Sequence, residues 1–224
     1  MTRVIAFDVN ETLLDLRALD DTFERLLGST SQRAAWFAQM LQLSFVAGLT
    51  GEYVDFTSAQ TGALTMLAQR RDRPLTPQDV TEVLKQMSSL PAHPDVLRPL
   101  ERLAATPLTV VALTNSTAAV AEAQLTNAGI RSCFEAVLSA DSVQRLKPAP
   151  EPYLSVAAAF GVDIGEVRLV AAHSWDVSGA LAAGCQAAFV ARPGMVLSPI
   201  GRQPDIVGAG LDAVIDQIIA RDIT

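Results

Sequence analysis

Residues 3–14, which decide the fold, read Arg3-Val4-Ile5-Ala6-Phe7-Asp8-Val9-Asn10-Glu11-Thr12-Leu13-Leu14. The four apolar residues from Val4 to Phe7 predict a strand buried on both faces, as strands of parallel sheets are. Asp8 directly follows, so it lies at the carboxyl end of the strand, where open α/β sheets bind their ligands. A carboxylate there either shapes the turn or takes part in chemistry, and later residues favour chemistry.

Length and composition limit the function classes. The chain has 224 residues, half of them hydrophobic, which is enough for an α/β domain and a smaller inserted one. A net charge of −7 and a pI near 4.8 argue against nucleic acid or an anionic membrane as partner. No apolar run approaches the ~18 residues of a membrane span, and we expect no secretory signal. The two cysteines, Cys133 and Cys185, lack metal-ligand spacing and predict reduced thiols in a cytoplasmic protein.

A long segment after the first strand has a helical pattern and no strand pattern. Apolar residues spaced three and four apart predict a helix from Ser31 until Gly51 breaks it, and a second from Tyr53 to Gln69. Thr76-Pro77 opens a third helix that runs through Met87. This much helix predicts a domain, so we interpret residues 15–90 as a helical cap over Asp8.

The rest of the chain alternates between strands and helices. After a linker, Asp95 is predicted to cap a helix that runs through Leu103. Further strands are predicted at 108–113, 136–139, 167–172 and 187–190, with helices between them, and an amphipathic helix at 211–219. This rhythm predicts an α/β fold with a Rossmann-like, doubly wound parallel sheet, in which residues 1–14 and 91–224 form the core.

Polar side chains follow several of these strands. They are Asp8, Thr114 with Asn115, Lys147, and His173 with Asp176. Singly, each has a structural explanation as a helix cap, a solvated lysine or a helix N-terminal acid. Because the carboxyl ends of parallel strands share one edge, the set is better explained as one site.

This set of residue types suits a carboxylate nucleophile. Lys147 supplies the cation that keeps Asp8 ionised. The backbone amides of Asn115 and Ser116, with the Thr114 hydroxyl, offer donors for an anion at a helix N-terminus. Asp176 and His173 can orient or deprotonate water.

The ordered motifs resemble the haloacid dehalogenase superfamily. They are Asp8-x-x-x-Thr12, Thr114-Asn115, Lys147-Pro148 and Asp176, and they span essentially the whole chain. Gly51-x-Tyr53 in the cap, Tyr153 after Lys147-Pro148, and Trp175 before Asp176 are similar to the (S)-2-haloacid dehalogenases in particular.

The resemblance implies a chemistry in two steps on a small-molecule substrate. The Asp8 carboxylate would displace halide from the α-carbon of a 2-haloacid, and water would then hydrolyse the aspartyl ester to a 2-hydroxy acid. It implies catalytic roles for Asp8, Thr12, Lys147 and Asp176, substrate contact by Tyr153, and no metal or other cofactor. The apolar cap helices offer a homodimer interface.

Several positions depart from this family. Asn10 replaces the second aspartate of superfamily phosphatases, which removes their general acid, and Glu11 replaces the customary glycine. Phe37 stands where the dehalogenases carry the arginine that receives halide, and Arg33, one turn earlier, could replace that cation. In the dehalogenases, a serine and an asparagine assist the hydrolytic water, and these two positions align with Ala171 and His173 in this chain. We interpret the chain as a dehalogenase with a reshaped pocket and altered activity, in which Phe37 and Asn10 line the substrate site and His173 activates water.

Two alternatives stay open at this point. One is a magnesium-dependent phosphatase or phosphonate hydrolase, with Asp8, the backbone of Asn10, and Asp176 as ligands. The other is a protein of the same fold that binds a carboxylate ligand without turnover.

Overall fold

The computed structural model describes residues 2–223, and its strands form one parallel sheet. The strands are β1 (Val4–Phe7), β2 (Thr109–Thr114), β3 (Ala136–Ser139), β4 (Val167–Ala171), β5 (Gln186–Val190) and β6 (Ile206–Gly208). Their order is β3-β2-β1-β4-β5-β6, so β1 is central and pairs with β2 and β4. The predicted doubly wound α/β fold is confirmed, and the first five strands lie within one residue of their predicted bounds.

The helices fall into two groups. Four lie between β1 and the rest of the sheet, namely α1 (Asp20–Leu27), α2 (Ser31–Thr50), α3 (Phe56–Arg70) and α4 (Pro77–Met87). The others are α5 (Leu97–Ala104), α6 (Ala118–Asn127), α7 (Pro150–Phe160), α8 (Ser174–Ala183) and α9 (Leu211–Asp222). No strand lies between Leu16 and Leu90 in the described chain, as the sequence predicts.

Local capping explains where these helices begin and end. Gly51 ends α2 in the left-handed conformation, at φ +78°, which glycine adopts without steric cost. Thr76 and Asp79 form the capping box that begins α4. The predicted start of α3 at Tyr53 is three residues early, because the Asp55 side chain accepts a hydrogen bond from the Ser58 amide and sets the first turn.

The predicted cap of α5 is wrong. The helix begins at Leu97, and Asp95 does not cap it. The Asp95 carboxylate instead accepts hydrogen bonds from Arg192 Nη1 at 2.5 Å and from the Leu211 amide at 2.9 Å. Arg192 also donates to the Thr12 carbonyl, so this pair connects the start of α9 to the loop that follows Asp8.

The central strand separates two apolar layers. Ile5 and Phe7 pack on the side that also holds α5, α9 and the apolar faces of α2 and α3. Val4 and Ala6 point the other way and pack against α7 and α8. Every residue of β1 is therefore buried, which explains its unbroken apolar sequence. Within residues 2–223, every helix is too short or too polar to span a membrane.

The helical segment 15–90 joins the sheet through two stretches of chain that run antiparallel to each other. Leu14 and Ala92 form an antiparallel bridge. The Asp15 amide donates to the Pro91 carbonyl at 2.8 Å, and the His93 amide donates to the Leu13 carbonyl at 2.9 Å. This junction lies only a few residues along the chain from Asp8, so the helical segment is attached close to the predicted nucleophile.

Candidate active site

Asp8 lies at the end of β1, as predicted, with both carboxylate oxygens in use. Its Oδ1 accepts from Lys147 Nζ at 2.9 Å, and its Oδ2 accepts from the Thr12 hydroxyl at 2.7 Å. The Asp8 amide donates to the Val170 carbonyl of β4 at 3.0 Å. The Ala172 amide in turn donates to the Thr12 hydroxyl at 2.9 Å. Asp8 is 5% exposed, so its position is fixed from β1 and β4 together.

Lys147 is the centre of the site. Its buried ammonium donates to Asp8, to Asp176 Oδ2 at 2.5 Å, and to the Leu113 carbonyl at 3.0 Å, which uses all three N–H donors. The Asn115 side chain makes two hydrogen bonds to the Lys147 backbone. It accepts from the Lys147 amide at 2.8 Å and donates to the Lys147 carbonyl at 3.1 Å. The side chain of Asn115 therefore positions the lysine, and the predicted contact of its backbone amide with an anion stays a prediction.

Asp176 is held from the opposite side by Tyr153. The Tyr153 hydroxyl donates to Asp176 Oδ1 at 2.5 Å, and the tyrosine is only 1% exposed. Tyr153 therefore positions Asp176, and its predicted contact with substrate stays a prediction. A Cβ at Gly179 would lie 2.6 Å from the Tyr153 hydroxyl and 2.6 Å from Pro148 Cβ, so this close approach of α8 requires glycine.

His173 contacts two carboxylates and two aromatic rings. Its Nδ1 lies 3.3 Å from Asp8 Oδ2, and its Nε2 lies 2.9 Å from Glu11 Oε2. The imidazole stacks on Phe37, with ring centroids 5.5 Å apart, and on Trp175, with centroids 5.3 Å apart. Phe37 belongs to α2, so at the position expected to receive halide the helical segment presents a ring that covers His173.

Glu11 was noted in the sequence only as a departure, and the structure makes it a neighbour of the site. It adopts a left-handed conformation, φ +63°, which favours glycine. Its Oε1 lies 3.5 Å from Arg33 Nη1, and Arg33 Nε donates to Asp20 at 2.6 Å. Arg33 therefore reaches the site only through Glu11, and its charge is already paired with two acids.

One amide of the predicted anion cradle at residues 114–116 is already engaged. The Ser116 amide donates to the Thr114 hydroxyl at 3.1 Å, so this amide is not open to a ligand. The Asn10 side chain donates to Ser116 Oγ at 3.2 Å and accepts from Gln124 Nε2 at 2.9 Å. Asn10 thus connects the loop after Asp8 to α6. The contact with Gln124 is not predictable from the sequence, because Gln124 is a single polar residue within a helix.

The electrostatics fix the charge of the central groups. Burial favours protonated Asp8, but the charge of Lys147 and the contact with His173 outweigh it and hold the Asp8 pKa well below its usual range. Burial lowers the pKa of His173, yet the hydrogen bonds to Asp8 and Glu11 raise it to about 9. Burial and the nearby Asp8 charge raise the pKa of Asp176 despite its contact with Lys147. At neutral pH, Asp8 is a carboxylate and His173 an imidazolium.

The donor set does not fit the magnesium site of the phosphatase alternative. Both oxygens of Asp176 are engaged, one by Lys147 and the other by Tyr153. The ammonium of Lys147 lies between the two carboxylates that would have to share a metal ion. In the described part of the chain, no group of three or more His, Cys, Asp or Glu side chains is arranged to hold a metal.

Comparison with known proteins identifies the family. A family model described as haloacid dehalogenase-like hydrolase matches residues 5–190. The chain belongs to the haloacid dehalogenase-like hydrolases. Haloacetate dehalogenase H-2 of Moraxella sp. (strain B) is 27% identical over 216 residues, 96% of each chain. The (S)-2-haloacid dehalogenase of Xanthobacter autotrophicus is 29% identical over 194 residues, 86% of this chain and 76% of that one.

Solved structures agree with this family assignment. The L-2-haloacid dehalogenase from Xanthobacter autotrophicus, with chloropropionic acid covalently bound, matches with a TM-score of 0.91. The match covers 100% of both chains at 26% identity. The resemblance stated from the motifs is therefore confirmed, including its dehalogenase branch.

The charge state of His173 in this hydrolase predicts a pH-dependent stability. Its folded pKa of about 9 exceeds the unfolded value near 6.5, so its contribution is fully present below about pH 6.5 and is lost as the pH rises through 9. Urea unfolding of wild type and His173→Asn should give a stability difference that is largest near pH 6 and shrinks by pH 9.5. His93, whose pKa is lowered chiefly by burial, is the control with the opposite slope. A His173 difference that grows with pH contradicts the assignment.

Proposed function

We propose that this protein hydrolyses the carbon–halogen bond of small 2-haloacids and releases 2-hydroxy acids, with residues 15–90 acting as a cap over the site. The observation that carries the proposal is a buried Asp8 carboxylate held ionised by Lys147, with an amide rather than an acid at Asn10. Halide departs without a proton, whereas the alcohol of a phosphate ester needs one. The site therefore supports displacement of halide.

In the first step, Asp8 attacks the substrate. Among the described residues, its Oδ1 accepts from Lys147 alone, whereas Oδ2 accepts from Thr12 and faces His173, so we assign the attack to Oδ1. An oxygen–carbon bond forms at the α-carbon as the carbon–halogen bond breaks, which gives the aspartyl ester and a halide ion. The hydroxyls of Thr114 and Ser116 each accept a hydrogen bond and keep their own protons for the substrate carboxylate.

The leaving halide needs a donor, because Phe37 cannot supply one. Trp175 Nε1 is buried and has no hydrogen-bond partner among the described residues. The Trp175 ring centroid lies 5.9 Å from Lys147 Nζ, which places the indole beside the nucleophile. We assign the halide to this indole N–H, since a donor fixed in a low-dielectric site stabilises developing negative charge.

In the second step, water hydrolyses the ester at Asp8 Cγ. We assign the base to His173, because its Nδ1 faces the Asp8 carboxylate. The ester removes the Asp8 charge that favours the imidazolium, so the ring gives up its Nδ1 proton, and the neutral imidazole, with its other proton on Nε2, then takes a proton from water at Nδ1. Asp176 stays paired with Lys147, which keeps the ammonium in place while the charge of Asp8 is masked. The product is a 2-hydroxy acid, and Asp8 returns to a carboxylate.

We propose an oligomeric state from exposed apolar side chains and a cellular compartment from the cysteines. Val46 and Leu49 near the end of α2 are 49% and 88% exposed, and we propose this end of α2 as a homodimer contact. Both cysteines are buried and free, in keeping with the reducing cytoplasm.

Replacement of the nucleophile tests the proposed reaction. Asp8→Asn should lower halide release from 2-chloropropionate by on the order of 10⁴-fold or more, because an amide cannot form the ester. Ion chromatography of halide measures this, with the exposed Asp21→Asn as matched control. Halide release at the wild-type rate from Asp8→Asn excludes Asp8 as nucleophile. Wild-type activity that vanishes with chelator and returns with magnesium excludes the proposed reaction, and thermal stabilisation by 2-chloropropionate without halide release indicates a binding protein.

Removal of the indole N–H tests the halide assignment. Trp175→Phe keeps the ring but removes the donor, so single-turnover halide release should slow by roughly 10- to 100-fold. Trp36→Phe is the matched control, because its indole N–H donates to the Gln60 carbonyl within the helical segment. Equal rates for the folded Trp175→Phe variant and the control show that the halide is received elsewhere.

A further inference from the structure

We propose that Gln124 is a positioning residue that, acting through Asn10, directs the proton of the Ser116 hydroxyl toward the substrate carboxylate. This inference rests on the proposed dehalogenation, which uses that hydroxyl as a donor. Gln124 is fully buried in α6, and its Nε2 donates to the Met87 carbonyl at 2.7 Å and to Asn10 Oδ1 at 2.9 Å. Asn10 Nδ2 in turn donates to Ser116 Oγ at 3.2 Å. These hydrogen bonds form one chain from the last residue of α4 to the loop after β2.

The Met87 carbonyl sets the direction of every hydrogen bond in this chain. A backbone carbonyl only accepts, so the Gln124 side chain must turn its NH2 group toward it. The same NH2 group faces Asn10, which must therefore offer its Oδ1. Asn10 then turns its own NH2 group toward Ser116, so Ser116 Oγ is the acceptor of that contact. One acceptor on the helical segment thus determines how two side-chain amides and one hydroxyl are oriented.

The orientation of Gln124 leaves one polar atom unpaired. Its Oε1 is buried and has no hydrogen-bond partner among the described residues. A buried acceptor without a partner destabilises a fold. Turning the amide over would not help, because Oε1 would then face the Met87 carbonyl, which is a second acceptor. An apolar side chain of similar length would avoid the unpaired atom, so packing alone does not explain the amide, whereas its two donated hydrogen bonds do.

The Ser116 hydroxyl is left with a proton to donate. Its oxygen accepts from Asn10, and within residues 2–223 its own proton has no acceptor. Ser116 is 2% exposed, so bulk water does not take this proton either. A hydroxyl makes a stronger hydrogen bond to a carboxylate than to a neutral acceptor. The hydroxyl is therefore ready to bind an anion, and Gln124 keeps it in that state through Asn10.

Contacts on two sides place Ser116 beside the nucleophile. It follows Asn115, whose side chain bonds to the Lys147 backbone, and the Lys147 ammonium contacts Asp8. Its hydroxyl contacts Asn10, which lies two residues after Asp8. In a 2-haloacid, the carboxylate is bonded directly to the α-carbon that Asp8 attacks. A donor in this position is therefore available to that carboxylate.

Loss of the Gln124 amide would reverse the last hydrogen bond of the chain. Without a donor at residue 124, the Asn10 amide is free to turn over and present Oδ1 to Ser116. The hydroxyl then gives its proton to Asn10 and presents only lone pairs to the substrate carboxylate. The partners of the nucleophile, Lys147 and Thr12, do not belong to this chain of hydrogen bonds. We therefore expect weaker binding of substrate and an unchanged rate of attack.

Steady-state kinetics of Gln124→Met test this assignment. Methionine is similar in length but donates no hydrogen bond, so KM for 2-chloropropionate should rise roughly 10-fold while kcat stays within about twofold of wild type. The inhibition constant of 2-hydroxypropionate, which presents the same carboxylate, should rise by the same factor. Gln124→Leu is a second variant of the same kind and guards against misfolding of the first. Asn127→Met is the matched control and should leave both constants unchanged, because it removes the 2.9 Å hydrogen bond from α6 to the Ser88 carbonyl but no contact of Asn10.

A double variant separates positioning from general structural damage. Ser116→Ala removes the hydroxyl and should by itself raise KM by a similar factor. Adding Gln124→Met to Ser116→Ala should then change KM by less than about twofold, because the group that Gln124 directs is gone. Wild-type KM in a folded Gln124 variant or in Ser116→Ala, a loss confined to kcat, or multiplied effects in the double variant overturn the inference alone. Absence of halide release from wild type overturns the proposed function and this inference with it.

Discussion

The structure depends on one buried ammonium. Lys147 Nζ lies between the carboxylates of Asp8 and Asp176 and also donates to the Leu113 carbonyl, so it joins β2 to groups that follow β1 and β4. A buried carboxylate without such a partner would be protonated, and a protonated Asp8 cannot attack carbon. Because the lysine must reach both acids at once, the positions of its own backbone and of both acids are constrained by the surrounding chain.

Those constraints explain residues that are remote from the reacting atoms. Asn115 grips the Lys147 backbone, Tyr153 holds the far oxygen of Asp176, and Gly179 allows α8 to approach both Tyr153 and the Lys147–Pro148 loop. On the other side, His173 connects Asp8 to Glu11, so positive and negative groups alternate from the centre of the sheet to the junction with the helical segment.

Much of this arrangement is predictable from sequence because it follows from topology. The apolar run of β1 and the alternation after residue 108 predict the parallel sheet, and a parallel sheet brings Asp8, Lys147 and Asp176 to one edge. Partners chosen by side-chain geometry are not predictable: Asp95 looks like a helix cap but bonds to Arg192, and Tyr153 matches a substrate motif but faces Asp176. The short edge strand β6, three residues long, gives too few residues for a periodic pattern.

The central claim is that Asp8 itself attacks carbon and that water then attacks Asp8. A single turnover with enzyme in excess over 2-chloropropionate, in water enriched in ¹⁸O, tests it most directly. The account predicts that the heavy oxygen appears in the Asp8 carboxylate, read by mass spectrometry of its peptide, and that the first 2-hydroxy acid released is unlabelled. Label in the product of that first turnover, with none in Asp8, would show direct attack of water on the substrate and contradict the account.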